Sequence, residues 1–311
     1  MSNTTMIESE LIDHHFEVIH TMTLQEEKYY TCPDYLQSSE RNCQERMVEI
    51  RCRDLIARWF FKIAKEFELR SETIEIAMSC LDRHLSVCTE KLEDRHLYQL
   101  AALTALYTAI KIHEPKFVSL DDIEILGRYQ FTRDQVLEME QEMLRSINWH
   151  VHPPTIMDFV HQLVDVIPEN ILPGRQIIIE MADLQVENAV CDYKSVSLKS
   201  SWISFAVIMN AIESLVHPKN HQFCWTLVSI ALSLDDVPND SIRSIQRRLR
   251  KVQTVSEWSE EPRNQEQFVN SADVDVTDLL SLNNTLKISN EEESKHPCFR
   301  TSPRSMAAAI I

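Results

Sequence analysis

Glycine is almost missing from this chain: 311 residues contain two, Gly127 and Gly174. That scarcity excludes a glycine-rich phosphate loop and a GxGxxG dinucleotide turn, and it disfavours a β fold rich in tight turns. Positive charge is also short, with a formal net charge of −17. A nucleic-acid binder needs a basic face, so contact with nucleic acid is not expected. The one basic cluster, Arg247, Arg248, Arg250 and Lys251, closes an apparent helix, where cations complement the helix dipole. No uncharged apolar run approaches about 18 residues, and none lies at the N-terminus, so neither a membrane span nor a signal peptide is expected. Eight cysteines are scattered without a CxxC pair. They read as the free thiols of a reduced chain. Twelve histidines include His14–His15 and His150-x-His152, neither with a Cys or acidic partner at ligand spacing. We therefore expect no metal and no cofactor.

What is present is helical periodicity. Residues 44–67 place Cys52, Leu55, Ile56, Trp59, Ile63 and Phe67 on one stripe. Ser71 offers an N-cap, with Glu72 and Glu75 behind it, and Ile74, Ala77, Met78, Leu81 and Leu85 follow at helical spacing. Leu97–Ile110 carries no charge, and Lys111 comes next. An all-round apolar helix belongs at the centre of a bundle, so Lys111 is the first charge as that helix leaves the core. Ser119-x-x-Asp122 and Thr132-x-x-Gln135 are capping boxes opening two more helices. In the last of these, Val136, Glu140, Met143, Leu144 and Ile147 share one face, so a single acid interrupts an apolar stripe. An internal Lys111–Glu140 salt bridge and a surface read by a partner are both open at this point.

Pro153–Pro154 breaks the chain, and Thr155-x-x-Asp158 caps a new start. Periodic segments near 155–167, 175–192, 196–216, 222–233 and 239–253 make five more helices. The expected fold is all-α: an N-terminal helix and loop (1–43), a five-helix set (44–152), a second five-helix set (153–253), and a disordered tail (254–311) rich in Ser, Asn, Glu and Asp. Within the tail, Ser302-Pro303 has the form of a proline-directed phosphorylation site.

The order and spacing of several residue groups resemble the cyclin box. They are Arg53-Asp54-Leu55-Ile56 with Trp59, Glu72-Thr73-Ile74, Leu81–Ser86, Gln99-Leu100, Ile110–Glu114, Met139-Glu140 and Pro154-Thr155. The second half is similar, more loosely, to the second cyclin fold, most of all to D-type cyclins around residues 193–215. The resemblance implies a regulatory subunit of a cyclin-dependent kinase, with no catalysis of its own. It implies that Lys111 and Glu140, with Glu114, meet the kinase at its αC helix, and that Arg53 and Asp82 form a buried structural ion pair. It also implies a docking patch for kinase substrates or inhibitors at Cys52, Leu55, Ile56, Trp59 and Gln99. Here Cys52 replaces the family's usual Met, and Lys62 stands where an acid is common. His113 replaces the first acid of the lysine-x-glutamate-glutamate run. The expected setting is cell-cycle control in nucleus and cytoplasm. The rival expectation is a transcription-associated adaptor of the same fold that activates no kinase.

Overall fold

The computed structural model describes residues 3–37, 43–89, 94–115, 118–172, 174–233 and 239–252, all within one compact unit, Met1–Gln265. Ser302 and the rest of the expected tail lie outside the described residues. Among those described there are eleven α-helices and no strand, and no helix is long and apolar enough to cross a membrane.

Helix α1 (Asn3–Tyr29) precedes two consecutive five-helix sets. The first is α2 (Cys43–Phe67), α3 (Ser71–Val87), α4 (Arg95–His113), α5 (Leu120–Leu126) and α6 (Arg133–Ser146). The second is α7 (Ile156–Val166), α8 (Arg175–Cys191), α9 (Ser200–Leu215), α10 (His221–Ala231) and α11 (Asn239–Val252). Helix α4, uncharged from Leu97 to Ile110, packs against α3 and α6, with Leu100 to Ile110 buried without a break. In the second set α9 holds the same central place, touching α7, α8, α10 and α11. The reason is composition: Leu97–Ile110 of α4 carries no charge and α9 carries only Glu213 near its end, so each loses little by being enclosed.

Local signals set three helix starts. Ser119, Thr132 and Thr155 each accept a bond from the N3 amide, while the N3 side chain accepts one from the cap residue's own amide. The start of α3 departs from expectation. Its N-cap is Arg70, without a side-chain cap bond, and Ser71 instead donates to Asp183 at 2.7 Å. The local cap is replaced by Glu114 at the end of α4, which accepts from the Arg70 amide at 3.0 Å and from Thr73 Oγ1 at 2.6 Å.

Buried glutamates do similar work between the two sets. Glu75 of α3 accepts from the Ile156 and Met157 amides at the head of α7, at 2.7 and 3.4 Å. Glu26 of α1 accepts from the amide and hydroxyl of Ser201 at the head of α9, at 3.1 and 2.6 Å. Each places a carboxyl on free amides at the positive end of a helix dipole. Burial still raises both carboxyls above their ordinary range, against the pull of those bonds.

Asp54 on α2 is perturbed in the same direction. Burial, opposed by Arg53 and reinforced by Asp192, pushes its carboxyl up to about 6. An unfolded aspartate titrates near about 3.9. Because the folded value is the higher one, protonation favours the folded state, and the benefit is lost as pH rises through 6. Asp54→Asn is therefore expected to raise the melting temperature at pH 7.5 by about 2–4 °C. The gain should vanish near pH 4, and scans giving the same difference at both pH values would contradict this assignment.

Candidate functional site

The acid on the apolar stripe of α6 is answered from α4. Glu140 lies with Val136, Met139, Met143 and Ile147 on the buried face, and Leu144 is only partly covered. Its Oε1 accepts from Lys111 Nζ at 2.5 Å and from the buried Thr108 hydroxyl at 3.2 Å. Lys111 and Thr108 stand one turn short of each other on α4, so the apolar helix delivers both donors to one carboxylate. The pair is asymmetric: the Lys111 side chain is 43% exposed and that of Glu140 8%. Lys111 Nζ also lies 5.1 Å from the centre of the Tyr107 ring. The result is a cation at the seam of α4 and α6, fixed in position by a buried acid and left open on its outer side.

Glu114, expected beside this pair, is placed elsewhere. Its side chain is 4% exposed and is held by Arg70 and Thr73, so it joins α4 to α3 instead of facing outward. His113 turns inward too, 2.9 Å from the Val151 carbonyl, and burial pulls its imidazole below the usual value.

Arg53 and Asp82 meet in the interior. The guanidinium donates from Nε at 3.2 Å and from Nη2 at 2.9 Å to the two Asp82 oxygens, and from Nη1 to the Val190 carbonyl at 2.5 Å. Tyr35 donates to Asp82 at 2.9 Å. Val190 ends α8, so this centre joins α2, α3 and α8 with the segment that follows α1. That segment carried no sequence signal beyond a loop. It is an anchor: Tyr35 and Leu36 are buried, and the Tyr193 hydroxyl bonds both Asp34 Oδ1, at 2.6 Å, and the Leu36 amide, at 3.0 Å.

On α2 the buried face is Arg53, Ala57, Phe60, Phe61, Ile63 and Ala64. Most of the stripe read from the sequence is rotated off it, although Ile63 lies on both: Leu55 is 39% exposed, and Cys52, Ile56 and Trp59 are half-buried. The cause is the pairing of α2 with both α3 and α8, which centres the buried face on Arg53 and Ala57. Cys52, Leu55, Ile56 and Trp59 are thus a partly open apolar strip on α2, which also carries the exposed Lys62, and Gln99 of α4 is half-buried. In the basic cluster on α11, Arg248 bonds Ser195 at 3.0 Å and Arg250 bonds Asn210 at 2.6 Å, so two of its members serve the second helical set.

Residues 17–152 match the family described as "Cyclin, N-terminal domain". This segment is a cyclin-family domain. The chain is 26% identical over 177 residues to Cyclin-A3-3 of Arabidopsis thaliana, covering 54% of this chain and 50% of that one. It is 24% identical over 238 residues to G1/S-specific cyclin-D1 of Danio rerio, covering 76% and 78%. The match thus spans about half the length of the plant A3-type cyclins. In fold, the chain is similar to the viral cyclin of herpesvirus saimiri, with a TM-score of 0.56 at 16% identity over 75% of this chain and 97% of the other. It is also similar to a chain of the Chaetomium thermophilum CAK complex bound to ATP-γ-S, with a TM-score of 0.52 at 13% identity over 97% and 94%.

Proposed function

We propose that this chain is the regulatory subunit of a cyclin-dependent kinase and activates it by holding the kinase αC helix inward. The observation that carries the reading is the Lys111–Glu140 pair: an open cation whose position is fixed by a buried carboxylate at a seam between rigid helices. A protein kinase is active only when the αC Glu pairs with its β3 Lys. A packed helical surface that binds the αC-in state better shifts that equilibrium without doing chemistry. The names of the relatives support a role in cell-cycle control, and nucleus and cytoplasm are the places of action in this proposal. The open strip at Cys52, Leu55, Ile56 and Trp59, with Gln99, is the proposed landing place for kinase substrates or inhibitors. Exposed Lys62 on the same helix disfavours strongly basic peptides.

The test is capture from native cells followed by reconstitution. The purified chain should recover a kinase catalytic subunit in stoichiometric amount and raise its activity by orders of magnitude. Recovery without any kinase would overturn the proposal. Stoichiometric binding without activation would leave the adaptor reading in its place.

A further inference from the structure

At the end of α3 remote from the Arg70–Glu114 contact, three side chains of different chemistry converge. His84 and Cys88 are one helical turn apart and so share a face, and Glu142 reaches them from α6. One ligating atom from each, the imidazole nitrogen, the thiol sulfur and a carboxylate oxygen, lie within 4.8 Å of one another. His84 is buried, whereas Cys88 and Glu142 are half-exposed. We propose that His84, Cys88 and Glu142 bind a divalent ion of the zinc class that clamps the C-terminal end of α3 to α6.

The imidazole is prepared for this role. His84 Nδ1 is 2.7 Å from Ser146 Oγ, and Ser146 Oγ donates its own proton to the Met143 carbonyl at 2.8 Å. With that proton committed, the hydroxyl oxygen accepts from Nδ1–H. The neutral ring then carries its lone pair on Nε2, the tautomer a metal-binding histidine needs. An outer hydrogen bond of this kind fixes ring orientation in known metal sites. Cys88 is the C-cap of α3, its amide bonding the His84 carbonyl at 2.9 Å, so the ion would lie at the negative end of the helix dipole.

The donor set selects the ion. A thiolate, an imidazole and one carboxylate suit zinc and exclude a calcium or magnesium cage built from oxygen. Zinc bonds of about 2.0–2.3 Å in a tetrahedron set ligand separations of about 3.3–3.8 Å. Closing from 4.8 Å asks the half-exposed Cys88 and Glu142 side chains to move towards the buried histidine. Binding deprotonates Cys88, whose proton leaves to solvent, and the fourth position stays open to water. The surrounding sequence hides the site, because His84-x-x-x-Cys88 is visible on α3 while its acid belongs to another helix.

The full reduced chain titrated with Co²⁺ tests the proposal. A thiolate-to-cobalt charge-transfer band should saturate at one equivalent and be displaced by Zn²⁺. Cys88→Ser should abolish the band, and Cys32→Ser should leave it intact. Ser146→Ala should weaken Zn²⁺ binding about 10–100-fold through loss of imidazole orientation. Should Cys88→Ser fail to fold, Glu142→Gln decides, with an expected weakening of at least about tenfold. Absence of the band at one equivalent, its persistence in Cys88→Ser, or unchanged affinity in Glu142→Gln would overturn the site.

Discussion

Asp82→Ala is expected to be among the most destabilising single substitutions in the chain, lowering the urea midpoint sharply. Asp82 and Arg53 are each 4% exposed, and the carboxylate is the acceptor for two guanidinium donors and the Tyr35 hydroxyl. Removing it leaves a buried guanidinium with, among the described residues, the Val190 carbonyl as its remaining hydrogen-bond partner. Breaking a buried pair from one side costs about 3–5 kcal/mol. A domain's whole stability is about 5–15 kcal/mol, so the loss is about a fifth of it or more. The effect comes from the uncompensated charge and not from the pair being strong. Arg53→Met with Asp82→Leu should therefore recover much of the stability, since apolar groups of similar volume replace such pairs at little net cost. Urea midpoints for the three proteins are the measurement, and a single Asp82→Ala midpoint equal to wild type would refute the account.

Lys111→Ala with Glu140→Ala should eliminate kinase activation while leaving the helical content unchanged. Each charged hydrogen bond made by these residues to a kinase and shielded from water contributes about 1.5–3 kcal/mol. Two of them together correspond to a loss of about 10²–10⁴-fold in affinity. The internal bridge, with Lys111 43% exposed, contributes far less to the stability of the free chain, about 0–1 kcal/mol. The charge-exchanged variant, Lys111→Glu with Glu140→Lys, separates the two roles. It preserves an internal pair and reverses what a partner meets, so it should fold and still fail to activate. Titration calorimetry against the kinase checks binding, and the thermal midpoint checks the fold. A charge-exchanged chain that activates normally would confine the pair to an internal role.

Helix identity was legible where the cause is local. Capping boxes at Ser119, Thr132 and Thr155, the uncharged run of α4, and the proline break before α7 each involve residues within one turn of one another. The singular position of Glu140 was legible for the same reason, since an acid on an apolar stripe violates a pattern visible in a few turns. Glu114 was not. Its residue type matches a surface contact, and only the approach of α3 to the end of α4 turns it inward. Ser71 failed as a cap for the same cause, because an acid distant in sequence took the place a local side chain would have filled.

The α2 stripe shows the limit most clearly. Periodicity established that α2 is amphipathic, but two packing partners, α3 and α8, decided which part of its apolar surface was covered. By itself, then, the sequence determined an all-helical chain of the cyclin type, three of its helix starts, the central helix of its first set and the one acid out of pattern. Those depend on propensity, capping and hydrophobic period, which act over four to eight residues. Tertiary structure alone decided that Glu26 and Glu75 serve the helix heads of the second set, and that Tyr35 and Leu36 anchor between elements. It alone gathered His84, Cys88 and Glu142. Such groupings depend on which buried polar group finds its partner when whole helices pack, and no short window of sequence contains both halves of the bond.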